Sequence, residues 1–221
     1  MNFQYRKVSM GKKLGFCLLL AGMGLFTVCR LFQGAFEDFA FEQLEFPFQN
    51  PEHIERMAAF GIPGWSGSEP HNGIDLIIYD SLDRTRIISP HRGTVQSIEA
   101  SENPFSHPAG QLLLKINIFI NDTWTISLVI EPGTTRTDTK ADQRDAVLVE
   151  EGEEVRRGQG IADLLTGEHG YAHLHYMVLM DDEPVCAYHW STLSARREFE
   201  TILRTRSGNY LPDGNICYGE D

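Results

Sequence analysis

The chain has 221 residues, with 31 acidic side chains against 19 lysines and arginines, a formal net charge of −12 and a pI near 5.1. Nucleic-acid phosphates bind to basic surfaces, so this balance speaks against a nucleic-acid partner. The sequence also has no glycine-rich phosphate loop, internal repeat or low-complexity tract, and nucleotide-binding and solenoid classes fall away with them.

Residues 1–30 read as a signal peptide or membrane anchor. Arg6, Lys7, Lys12 and Lys13 precede the apolar run Leu14 to Val28, which is short for a membrane span. The basic side is expected to stay in the cytoplasm and the remainder to be exported. Cys29 follows Val28, a poor lipoprotein processing site, so cleavage, lipidation and a retained anchor all stay open. The location implied is periplasmic or extracellular, with membrane attachment through this segment.

Residues 31–63 read as a spacer and a short helix. Phe32 to Phe48 is aromatic and acidic, either a spacer or a segment that packs on the domain. Asn50-Pro51-Glu52 then has the signature of a helix start and Gly61 that of its end. Ile54, Met57 and Ala58 would be its buried stripe, with His53 at the surface.

From Gly64 the pattern turns to strands. In Glu69-Pro70-His71-Asn72-Gly73-Ile74-Asp75-Leu76-Ile77-Ile78, proline and glycine oppose a helix and the β-branched run favours a strand. His71 and Asp75 stand at even separation and so share a face. Gly73 lies between them and leaves that space open. About a hundred residues later, Tyr171 to Leu179 alternates as a strand. Ala172, Leu174, Tyr176 and Val178 form its apolar face, and His173 and His175 share the other. The two segments together supply two or three imidazoles, one carboxylate and room for water, the donor set of a catalytic zinc.

Between and after these strands the chain gives further signals. Thr134 to Arg144 is polar and reads as a loop, and Glu150, Glu151, Glu153 and Glu154 as a solvated hairpin. A helix is expected from about Leu193 to Arg204, with Ala195, Phe199, Ile202 and Leu203 facing inward. Cys186 and Cys217, an even pair in an exported domain, suggest a disulfide. The exported part is long enough for one core. The fold class expected is mostly β: a twisted antiparallel sheet with a groove and short flanking helices. Residues 64–190 would form the domain, and 191–221 a C-terminal helix and tail.

Four motifs, in order, resemble the lysostaphin/LytM-type zinc endopeptidases that cleave peptide bonds in bacterial peptidoglycan. They are His71 to Asp75, then Ile88-Ser89-Pro90-His91-Arg92-Gly93-Thr94-Val95, similar to the family's Ala-Pro-x-x-Gly-x-Val turn. Val149 to Ala162 is similar to its Val-x-x-Gly-x-x-Val-x-x-Gly-Gln-x-Ile hairpin, and Ala172-His173-Leu174-His175-Tyr176 to its His-Leu-His-Phe strand. The resemblance spans roughly Gly64 to Val185. It implies one Zn2+ per chain on His71, Asp75 and His175, with His173 orienting or deprotonating the attacking water, and a peptidoglycan or other peptide substrate.

One family residue is not matched, the histidine of a Tyr-x-His-Leu strand that stabilises the oxyanion. Val129 aligns with it, flanked on the same face by Ser127 and Glu131, and none of these is an imidazole. His107, His169 and Tyr171 are substitutes that sequence alone does not place. The alternative implied is a weak or inactive zinc-binding module that binds cell wall or regulates a partner wall hydrolase.

Overall fold

A computed structural model describes residues 43–63, 69–78, 84–103, 112–132, 140–166, 172–206 and 214–219. The N-terminal segment, His107, His169 and Tyr171 lie outside the described residues. Residues 42–221 form one compact unit. Among the described residues no helix is long and apolar enough to cross a membrane.

The strands in chain order are β1 (Arg56–Ala58), β2 (Ile74–Ile78), β3 (Arg84–Ile88), β4 (Gly93–Glu102), β5 (Leu112–Phe119), β6 (Trp124–Glu131), β7 (Glu154–Val155), β8 (Gly160–Leu165), β9 (Ala172–Met180) and β10 (Glu183–Val185). Among the described residues two α-helices accompany them, α1 (Lys140–Asp145) and α2 (Leu193–Thr205). The main sheet is antiparallel throughout and runs β1-β2-β9-β6-β5-β4-β7, with β10 pairing the far end of β9. β3 and β8 form a second, two-stranded sheet. This is the mostly-β class expected.

Period-two alternation builds the core. On β5, Leu112, Leu114, Ile116 and Ile118 are buried while Leu113, Lys115, Asn117 and Phe119 are only half-buried. β9 buries Ala172, Leu174, Tyr176 and Val178 completely, as its sequence requires. The opposite face carries His173 and His175, which places the polar residues of the central strands together.

The segment 50–61 departs from the helix expected. Only Pro51–His53 makes a single 3-10 turn, and Asn50 makes no side-chain cap. Arg56–Ala58 is instead an edge strand pairing β2 in the register Met57↔Leu76 and Ala58↔Asp75. Ile54, Met57 and Ala58 are buried as expected, but sheet pairing overrides the helix-start signal. His53 is half-buried with its ring on Thr85 Oγ1. The supposed loop also contains α1, whose Gln143 is buried and accepts from the Leu112 N–H.

Leu44, Phe46 and Phe48 are buried and packed, so residues 43–48 belong to the domain. Phe46 meets Phe199 edge-on, 4.9 Å between ring centres. α2 has Thr192 as its N-cap and buries Ala195, Phe199 and Ile202, with Leu203 half-buried. Turns at Gly152 (φ +86°) and Gly158 (φ +79°) give the acidic hairpin its shape, because only glycine takes such angles without strain. Cys186 and Cys217 form a disulfide.

Candidate metal centre

β2 and β9 are neighbours, with Asp75 directly across from His175 and Ile77 across from His173. This register brings Asp75 and His175 onto one face. His71 precedes β2 rather than lying within it, and is held by backbone bonds on both sides. Its N–H donates to the Ile62 carbonyl (3.0 Å), and its carbonyl accepts from the Gly61 N–H (2.6 Å).

The three side chains converge. His71 Nε2 lies 3.2 Å from Asp75 Oδ1 and 3.1 Å from His175 Nδ1, and His175 Nδ1 lies 2.7 Å from Asp75 Oδ1. The ring protons are assigned from the other contacts. His71 Nδ1 lies 2.6 Å from the Ala59 carbonyl and must donate to it, which leaves Nε2 with a lone pair. His175 Nε2 donates to Asn72 Oδ1 at 3.0 Å, leaving Nδ1 with a lone pair. Two nitrogen lone pairs and a carboxylate oxygen therefore face one another. A hydrogen bond inside that triangle needs a second proton on one ring, whereas a cation serves all three donors at once.

The set fits a metal ion on these grounds. Ligands about 2.1 Å from a tetrahedral ion stand about 3.4 Å apart, close to the separations here. His71, Asp75 and His175 could thus hold a metal ion. Both histidines are held from behind by an oxygen, the outer-shell arrangement that fixes tautomer and ring orientation in metal sites. Burial pushes the Asp75 carboxyl up, but without a metal, hydrogen bonds from the His175 and His71 rings in their protonated form outweigh it and hold it well below the usual carboxylate range.

Gly73 contributes by what it lacks. A Cβ there would stand 2.8 Å from both Cε1 and Nε2 of His175. The open space expected between His71 and Asp75 is filled by the His175 ring itself.

His173 is buried and sits beside this triangle without joining it. On β6, Val129 lies across from His175, and Glu131 across from His173. It is therefore Glu131 that meets the second histidine: His173 Nε2 lies 3.2 Å from Glu131 Oε1. Asn103, just past β4, donates to Glu131 Oε2 at 2.9 Å. Burial disfavours charge on both partners, yet their mutual attraction outweighs it. The Glu131 carboxyl is lowered and the His173 imidazole raised from their ordinary values. Val129 offers only an apolar surface.

The fold of the chain is similar to that of several solved structures. Its structure is similar to a zinc-containing peptidase from Vibrio cholerae at 24% identity and TM-score 0.42, covering 66% of this chain and 39% of that one. It is also similar to the catalytic domain of the prophage-encoded M23 protein EnpA from Enterococcus faecalis, a mutant form, at 16% identity and TM-score 0.43, covering 65% and 95%. A third similar structure is the SpoIIQ–SpoIIIAH pore-forming complex, at 14% identity and TM-score 0.46, covering 73% and 98%. No family model and no curated protein matches the chain.

Sequence reading named His71, Asp75, His173 and His175 but missed their supports. Asn72 lies inside the first motif, and its spacing alone gave no reason to single it out. Asn103 and the Ala59 carbonyl carry no local signal. Glu131 was legible only as a neighbour of Val129, since its role depends on the β6–β9 register.

Proposed function

We propose that the chain is an exported zinc-dependent endopeptidase that hydrolyses peptide bonds in bacterial peptidoglycan. The observation that carries the reading is the triangle of lone pairs on His71, Asp75 and His175, with each ring proton turned away onto an oxygen. The four motifs resembling LytM-type peptidases supply the substrate class, and the disulfide suits an oxidising compartment. The N-terminal basic and apolar segment supports export with membrane attachment.

In this reading His71, Asp75 and His175 hold one zinc per chain. Three protein ligands leave a fourth position for water, as catalytic rather than structural sites do. When bound, zinc lowers the pKa of its water to about 7 and polarises the scissile carbonyl. His173 orients that water or accepts its proton, standing beside the ligands but outside their set. Ala59 and Asn72 keep the ligand rings in one orientation. The specificity groove carries no motif that names the bond.

A second reading is favoured by one observation: Val129, aligned with the family's oxyanion histidine, is apolar, and it is the carboxylate of Glu131, two residues on, that meets His173. Losing such a donor costs around 10² to 10³ in rate. The chain would then be a weak or inactive zinc-binding module acting on a partner wall hydrolase. Digestion of purified peptidoglycan by the zinc-loaded protein separates the two. Released muropeptides, abolished by His173→Ala with zinc retained, support the peptidase. Zinc binding without any release supports the module.

A further inference from the structure

We propose that Glu131 is a positioning residue for His173: anchored by Asn103, its carboxylate accepts from Nε2 and fixes both the ring's orientation and the nitrogen that carries its proton. Three observations meet here. Glu131 and His173 are direct cross-strand partners, so their Cβ atoms start close and point to the same face. The contact is made by Nε2 and Oε1 at 3.2 Å, and the second oxygen is used as well, by Asn103 Nδ2 at 2.9 Å. The His173 side chain is 8% exposed and that of Glu131 21%, so the contact is largely shielded from water.

The geometry has a chemical consequence. A carboxylate has no hydrogen to give, so the proton in this contact belongs to the imidazole. His173 therefore presents a defined tautomer to the metal centre. The Asn103–Glu131–His173 chain does for this ring what Ala59 and Asn72 do for the ligands. Val129, two residues earlier on the same face, lies opposite His175 and has no polar atom with which to do it.

The consequence for rate rests on the peptidase reading; the ring's orientation does not. The experiment is nitrogen NMR of the full-length, zinc-loaded chain carrying ¹⁵N-labelled histidine, in wild type, Glu131→Ala, Glu131→Gln and Asn103→Ala. The His173 ring in wild type should show a hydrogen on Nε2. Glu131→Ala should lose that signature by mixing tautomers, and Glu131→Gln should keep it, because the amide oxygen still accepts. Asn103→Ala, which spares the carboxylate, should fall between them. Zinc content should be the same in all four.

An unchanged His173 signature in Glu131→Ala overturns the proposal. So does a Glu131→Gln signature that matches the alanine variant, since charge rather than placement would then be at work. If Glu131→Ala is poorly folded, Asn103→Ala against Glu131→Gln decides between the same outcomes. On peptidoglycan, kcat should fall about 10- to 100-fold in Glu131→Ala with KM little changed, and recover in Glu131→Gln. Absence of muropeptide release from every form, wild type included, would sink the peptidase reading and leave the ring result standing.

Discussion

Gly73 and His175 approach so closely that a single methyl group on the glycine would stand 2.8 Å from two atoms of the imidazole ring. Gly73→Ala should therefore turn the His175 ring while leaving the strands in place. We expect metal affinity to fall about tenfold or more, the scale seen when a ligand's orientation is disturbed. Titration of the metal-free protein with zinc, beside a thermal melt, reads this. Wild-type affinity in the variant would show that the ring has slack.

His71→Ala and His175→Ala each remove one corner of the triangle. Wild type should carry one zinc per chain, and both variants should lose it after dialysis, with affinity reduced by more than about 100-fold. Elemental analysis settles the matter. Zinc retained by both variants would place the ion elsewhere.

Asn72→Ala tests the support rather than the ligand. Without Oδ1 the His175 Nε2 proton loses its acceptor and the ring can exchange tautomers. Metal affinity should fall about 10- to 100-fold. A variant that binds zinc as wild type does would show that the strand alone fixes the ring.

Tyr176 is fully buried, and its hydroxyl makes no hydrogen bond among the described residues. Removing that hydroxyl ends its desolvation cost, so Tyr176→Phe should be neutral or stabilise by about 1 kcal/mol in urea unfolding. Burial raises the phenol well above its ordinary value of 10. The folded state thus keeps a proton that the unfolded chain releases, and this contribution is complete below pH 10 and lost as pH rises above it. The phenylalanine variant should lose less stability above pH 10 than wild type does. Equal alkaline losses would assign them to other groups.

The disulfide closes a loop between residues 31 apart in sequence. Chain entropy gives it about 3–4 kcal/mol in the unfolded-state model. Serine at both Cys186 and Cys217 should lower unfolding free energy by about that amount. A loss below about 1 kcal/mol would mean that packing of the tail alone is sufficient.

The sequence was most informative where one strand faces both core and solvent. The alternation from Ala172 to Val178 announced β9 and both of its faces, and His71 with Asp75 announced the donor types. Asn50-Pro51 misled because helix-start chemistry is local, while pairing of Met57 with Leu76 is not. The same gap hid Glu131 and Asn103. Their meeting with His173 depends on how β6 aligns with β9 and where β4 ends, and no single stretch encodes that.

The disulfide also bears on the order in which the molecule assembles. Cys217 bridges Phe60, whose N–H and carbonyl bond to Ile216 and Tyr218, and the next residues, Gly61 and Ile62, clasp the backbone of His71. Ala59, one residue earlier, holds the His71 ring. One corner of the metal triangle is thus braced by residues much later in the sequence, and we expect the site to form late in folding. Such long-range closure is slow. A nascent chain that has made β1 and β2 still lacks both β9 and this brace. Competence to bind the ion should then appear only after the tail has docked, and oxidation would fix it there.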